Sequence, residues 1–177
     1  MRHTLSILVE NRFGELSRIV GLFSARGYNI ESLTVAETLD PKVSRMTLVT
    51  TGNDETIEQI TRQLNKQIRV IEAADMTCFK HIEREMVLIN VSAEAGTARQ
   101  EVLSLVGIFR AKVVDVSLDG IIVEATGDWG KVSALIELLK PLGIREIVRT
   151  GTVAIARLSE NAMEDVGTKV EEQELTA

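Results

Sequence analysis

At 177 residues, 45% of them hydrophobic, the chain is long enough for one ordinary domain or two small ones, since domains cluster around ~100–150 residues. A formal net charge of -6 and only 3% aromatic residues argue against a sequence-independent nucleic-acid binder, which needs a basic stripe to release counterions. One cysteine, Cys78, excludes an internal disulfide and a cysteine-based zinc cluster, and the lack of a signal-length or membrane-length apolar run points to the cytoplasm.

Leu5, Ile7 and Val9 alternate with Thr4, Ser6 and Leu8, the pattern of a strand with one apolar face. Asn11 to Gly14 breaks it. Leu16, Ile19, Val20 and Phe23 then fall at helical spacing, and Arg26-Gly27 ends a helix predicted over about Glu15 to Arg26. Residues Asn29 to Glu37 and Ser44 to Thr51 read as two strands joined by a hairpin through Leu39-Asp40-Pro41-Lys42. Asn53-Asp54 caps a second helix with Ile57, Ile60 and Leu64 on one face, and Arg69 to Met76 is a fourth strand.

The same order recurs after a charged connector around Lys80 to Glu85. Met86 to Ser92 is a strand, and Val102, Leu105, Val106 and Phe109 stripe a helix. Ala111 to Leu118 and Ile121 to Ala125 flank the hairpin signal Asp119-Gly120. Val132, Leu135, Ile136 and Leu139 stripe a further helix stopped by Pro141 and Gly143, before a final strand or two between Ile144 and Ala156. Ile19-Val-Gly-Leu-Phe23 is echoed by Leu105-Val-Gly-Ile-Phe109 at an offset of 86 residues. The expected fold class is α+β, two tandem ferredoxin-like βαββαβ modules over 1–78 and 86–157, with 79–85 as linker and 158–177 as a mobile acidic tail.

The stretch from Asn11 to Leu33 carries the chemistry. A helix N-terminus leaves several N–H groups unpaired and attracts a carboxylate, and Gly14 in the first turn lets a ligand approach the backbone. Asn11 and Asn29 offer amides to the ammonium end of a small amino acid. Spacing alone favours a plain cap and two turns over a ligand site. His3 and His81 have no Cys or carboxylate at metal-ligand spacing, and Trp129 in Asp128-Trp129-Gly130 reads either as a partner contact or as a cover for the core. In the second module the echo puts Thr97 and Gln100 where Asn11 and Gly14 stand, so no equivalent site is expected there.

The run Leu5 to Val35, above all Gly27-Tyr-Asn-Ile-Glu-Ser-Leu-Thr-Val35, followed by Ser44-Arg-Met-Thr47, resembles the ACT domain of the acetolactate synthase small subunit, and the resemblance extends through Arg157. It implies a non-catalytic regulatory subunit of acetohydroxyacid synthase, in the pathway to valine, isoleucine and leucine. Such a subunit activates a catalytic large subunit and confers allosteric feedback inhibition, usually by valine. It implies no cofactor in this chain; thiamine diphosphate, Mg and FAD belong to the catalytic partner. It also implies a homodimer through the ACT domains, in which Asn11, Arg12, Phe13, Gly14, Glu15 and Leu16 of one chain face Asn29 and Ile30 of the other around valine. The alternative within this class is a free-standing ACT-type sensor of a different enzyme. An RNA-recognition module is disfavoured by strands almost without aromatics, and an enzyme by the lack of an activated nucleophile or a paired acid and base.

Overall fold

The computed structural model describes residues 1–94 and 96–158, so the expected acidic tail lies outside the described residues apart from its first residue, Leu158. In the first module β1 (Arg2–Glu10) turns Leu5, Ile7 and Val9 into the core. It is followed by α1 (Glu15–Ala25), β2 (Ile30–Glu37), β3 (Val43–Thr51), α2 (Asp54–Leu64) and β4 (Val70–Asp75). The sheet order is β2-β3-β1-β4 with every neighbouring pair antiparallel, the ferredoxin-like arrangement expected from the element order. Asn53 caps α2 as its type predicts, its Oδ1 accepting from the Thr56 N–H at 2.8 Å. After α2, the Asn65 side chain pairs with both backbone groups of Ala73 at 2.8 and 2.9 Å, so an amide extends the strand ladder by one rung.

A short 3-10 turn (Met76–Cys78) leads to the second module, built from β5 (His81–Ser92), α3 (Thr97–Ile108), β6 (Lys112–Val116), β7 (Gly120–Gly127), α4 (Trp129–Leu139), β8 (Ile144–Arg149) and β9 (Val153–Ala156). Its order is β6-β7-β5-β8. Val132, Leu135, Ile136 and Leu139 of α4 are all buried against Val87, Ile89 and Val91, as their spacing predicts. Each module packs its helices on one sheet face around its own apolar core, and the two cores share no residue.

Three expectations are corrected. The charged segment expected as a connector, around Lys80 to Glu85, is from His81 onward the first part of the twelve-residue β5, where residues 81–84 pair with β9. Charge misled because its carboxylates have partners: Glu83 meets Arg2 and Thr4, and Glu85 meets Arg149. The core side of α1 is Glu15, Ile19 and Phe23, while Leu16 is 42% exposed, because an ion pair takes the place the apolar stripe suggested for Leu16. The two helix starts align Gly14 with Gly96 and Asn11 with Ala93, four residues short of the echo, because the two loops are equally long and the echoed segment lies one turn further along α3 than along α1.

The modules meet through polar groups. Glu83 binds the Arg2 guanidinium at 3.2 Å and the Thr4 hydroxyl. Burial opposes its ionisation, yet the Thr4 hydroxyl, the Arg2 charge and His81 hold its carboxyl below the ordinary glutamate value. A carboxyl with a lowered folded pKa stabilises fully above its unfolded pKa, and that stabilisation is lost as pH falls through the folded value. Glu83→Gln is therefore expected to cost about 1.5–3 kcal/mol at neutral pH, the range of hydrogen bonds to charged groups, with the deficit closing in acid. Denaturant titrations of both proteins at pH 7 and pH ~3 test this; a deficit of equal size at both would refute it.

Candidate functional site

The loop from β1 to α1 is tied to the β2–β3 hairpin. The Asn11 N–H donates to the Lys42 carbonyl at 2.6 Å, and its side-chain Nδ2 donates to Glu37 at 3.0 Å and to the Pro41 carbonyl at 2.9 Å. Asn11 thus orients the loop and is no helix cap. Arg12 pairs with Glu10 at 2.9 Å on the surface, and the Phe13 side chain stands fully in solvent.

Gly14 is the N-cap itself, one step before the first turn where the sequence put it. Its φ of +87° is a left-handed conformation that glycine adopts without cost, and a Cβ there would meet nothing within 4 Å. The helix has no side-chain cap, and its first internal bond runs from the Arg18 N–H to the Gly14 carbonyl at 3.0 Å. The N–H groups of Leu16 and Ser17 precede that ladder, so the positive end of α1 opens beside a residue with no side chain. Glu15 is turned inward. Only 2% exposed, its carboxylate lies 2.8 Å from Arg69 and 3.5 Å from Arg18, which pins the start of α1 to the strand edge before β4. Sequence reading missed this pair because Arg69 lies too far along the chain for any periodicity to link it to Glu15.

Asn29 and Ile30 sit at the other end of α1. Gly27 reverses the chain, the Tyr28 N–H returns to the Phe23 carbonyl at 3.0 Å, and the two rings meet edge to face at 6.3 Å. The Asn29 side chain is exposed while its carbonyl accepts from the Thr50 hydroxyl at 2.6 Å, and Ile30 is half-buried against the core. An eleven-residue helix is about 16 Å long, so the two parts of the expected site stand at opposite ends of it and are not brought together within one chain. In and beside α1 and β2 the structure leaves large apolar groups in solvent: Phe13, Leu16, Val35 and Leu39.

The start of α3, at Gly96, likewise has no side-chain cap, but its surroundings differ from those of Gly14. Ala93, the counterpart of Asn11, is buried and has no amide, and the Arg99 guanidinium occupies the start of α3 through the carbonyls of Ala93, Ser117 and Leu118. Trp129 neither covers a core nor stands free: it is 49% exposed at the start of α4, with the Arg2 guanidinium 5.8 Å from its ring centre. A cleft of about 280 Å³ lies between the modules, with Arg2, Glu31, Glu85, Trp129 and Arg149 among its walls. Buried His3 points Nδ1 at Asp75, 2.9 Å away, and among the described residues no group of three or more His, Cys, Asp or Glu is arranged to hold a metal. The Cys78 thiol is pushed up by burial and by the Asp75 carboxylate, 3.8 Å away, which disfavours the thiolate.

An open helix start, an exposed second strand and a four-stranded antiparallel sheet in that order define the first module as an ACT domain, and a family model described as an AHAS small subunit-like ACT domain matches residues 5–72. A second, described as the small subunit of acetolactate synthase, matches residues 84–158. The chain is 49% identical over 155 residues to the acetolactate synthase small subunit of Mycobacterium leprae, covering 88% of this chain and 91% of that protein. It is 50% identical over 157 residues to a probable acetolactate synthase small subunit of Archaeoglobus fulgidus, covering 89% and 98%. The crystal structure of the acetolactate synthase small subunit from Thermotoga maritima superposes with a TM-score of 0.79 at 41% identity, over 90% of this chain and 99% of that one. The chain belongs to the acetolactate synthase small-subunit family.

Proposed function

We propose that the chain is the non-catalytic regulatory subunit of an acetolactate synthase, which activates a catalytic large subunit and makes it subject to feedback inhibition by valine. The observation that carries the reading is the uncapped start of α1 at Gly14, an anion-binding terminus flanked by exposed Phe13 and Leu16. The ligand carboxylate meets the N–H groups of the first turn, and Asn11, whose Nδ2 is already engaged, offers its Oδ1 to the ammonium. Asn29 and Ile30 come from a second copy, since within one chain they lie a helix length away. The exposed apolar groups along α1 and β2 support this homodimer, because pairing removes them and the strand edge from water. Thiamine diphosphate, Mg and FAD act in the catalytic partner.

Calorimetric titration of the purified chain and of the reconstituted holoenzyme with valine, leucine, isoleucine and an unrelated amino acid tests the reading. The expected result is saturable valine binding at one ligand or fewer per chain. Discrimination among the three branched amino acids is expected to be modest, since one methylene is worth ~1–3 kcal/mol. Failure of both preparations to bind any branched amino acid would refute the sensor.

A further inference from the structure

Thr152 stands between β8 and β9, in the second module, and each of its polar groups is bonded to the first. Its N–H donates to Ser32 Oγ at 3.0 Å, its carbonyl accepts from Thr34 Oγ1 at 2.9 Å, and its hydroxyl accepts from Arg2 Nη2 at 3.2 Å. The residue is 2% exposed. Gly151 before it has a φ of +84°, and a Cβ there would fall 2.7 Å from Ser32 Oγ and 2.9 Å from Thr34 Cγ2. The loop backbone therefore lies directly on β2. That strand begins beside Asn29 and Ile30 and forms the edge of its sheet.

We infer that Gly151–Thr152 is the contact through which effector occupancy at β2 reaches the second module, with Thr152 a positioning residue for inhibition. The inference rests on the effector reading above. Buried polar groups do not stay unpaired, so a β2 displaced by its ligand either carries the loop along or leaves an N–H, a carbonyl and a hydroxyl stranded. No buried apolar residue is common to the two cores, so the modules behave as two packed bodies joined by polar contacts that have a second possible arrangement. The adjoining cleft of about 280 Å³, whose walls include Ser32 and Gly151, gives the loop room to move without repacking either core. Exposed Val153 and Ile155 follow directly in β9, so motion of the loop changes what the second module shows to a partner.

The test compares wild type with Gly151→Ala and with the double variant Ser32→Ala/Thr34→Val, each as full-length chain and as reconstituted holoenzyme. The double variant removes both β2 side chains that hold Thr152 and is free of the steric load of the alanine. Expected are valine affinity and activation of the catalytic subunit both within about threefold of wild type, a change worth less than ordinary single-contact losses, while valine no longer inhibits. Normal inhibition by valine in the double variant overturns the inference, as does loss of valine binding together with inhibition, which would make these residues part of the ligand site. A wild-type chain and holoenzyme that bind no branched amino acid overturn the effector reading itself, and the inference with it.

Discussion

Replacing Gly14 by aspartate is expected to abolish inhibition by valine while the catalytic subunit is still activated. The substituted carboxylate would stand at the uncapped end of α1, where the ligand carboxylate is proposed to bind, and would compete with it through both bulk and like charge. Losing a hydrogen-bonded carboxylate contact costs about 2–3 kcal/mol, so affinity should fall about 100-fold. The fold should survive, because a Cβ at Gly14 meets no atom within 4 Å and aspartate tolerates the left-handed region better than most residues. Calorimetry, inhibition curves and melting of the same preparation separate these effects. Gly14→Ala is the control that carries the backbone strain without the charge. Should the aspartate variant respond to valine as wild type does, the site lies elsewhere.

Phe23→Ala is expected to be the most destabilising single change in the first module. Phe23 is fully buried, packs edge to face on Tyr28 and closes the last turn of α1 over Leu5, Ile7 and Leu48 in one core cluster. Truncations of this kind cost about 3–5 kcal/mol, which is much of the 5–15 kcal/mol typical of a whole domain. Because the second core shares none of these residues, denaturation followed by probes in each module should show the loss confined to the first. Equal shifts in both modules would mean that the polar joint couples them into one unfolding unit. Since Phe23 also holds the turn that presents Asn29 and Ile30, valine affinity should fall with stability in this variant, in contrast to Gly14→Asp.

Local chemistry was read correctly wherever it was local. The alternation in β1, the stripe of α4, the Asn53 cap and the glycine that ends α1 at Gly27 each depend on residues a few positions apart. The hairpin signal at Asp119-Gly120 also held, although the chain turns through Leu118 and Asp119 and Gly120 already begins β7. Errors arose where a charged residue found a distant partner. Glu15 took an inward place because Arg69 waits across the fold, and residues 81–84 became strand because β9 returns to pair with them.

The amino-acid order by itself determined most of the elements, their ferredoxin-like sequence and the duplication, because backbone periodicity, capping and turn preference act over a few residues. Tertiary structure alone decided that Asn11 to Leu16 and Asn29 to Ile30 stand at opposite ends of one helix, and that Asn11 ties to the β2–β3 hairpin. It also seated Thr152 on Ser32 and Thr34 across the joint. Those contacts join residues up to 120 positions apart, and only the packing of two sheets, which buries each polar group with a partner, brings such residues within bonding distance.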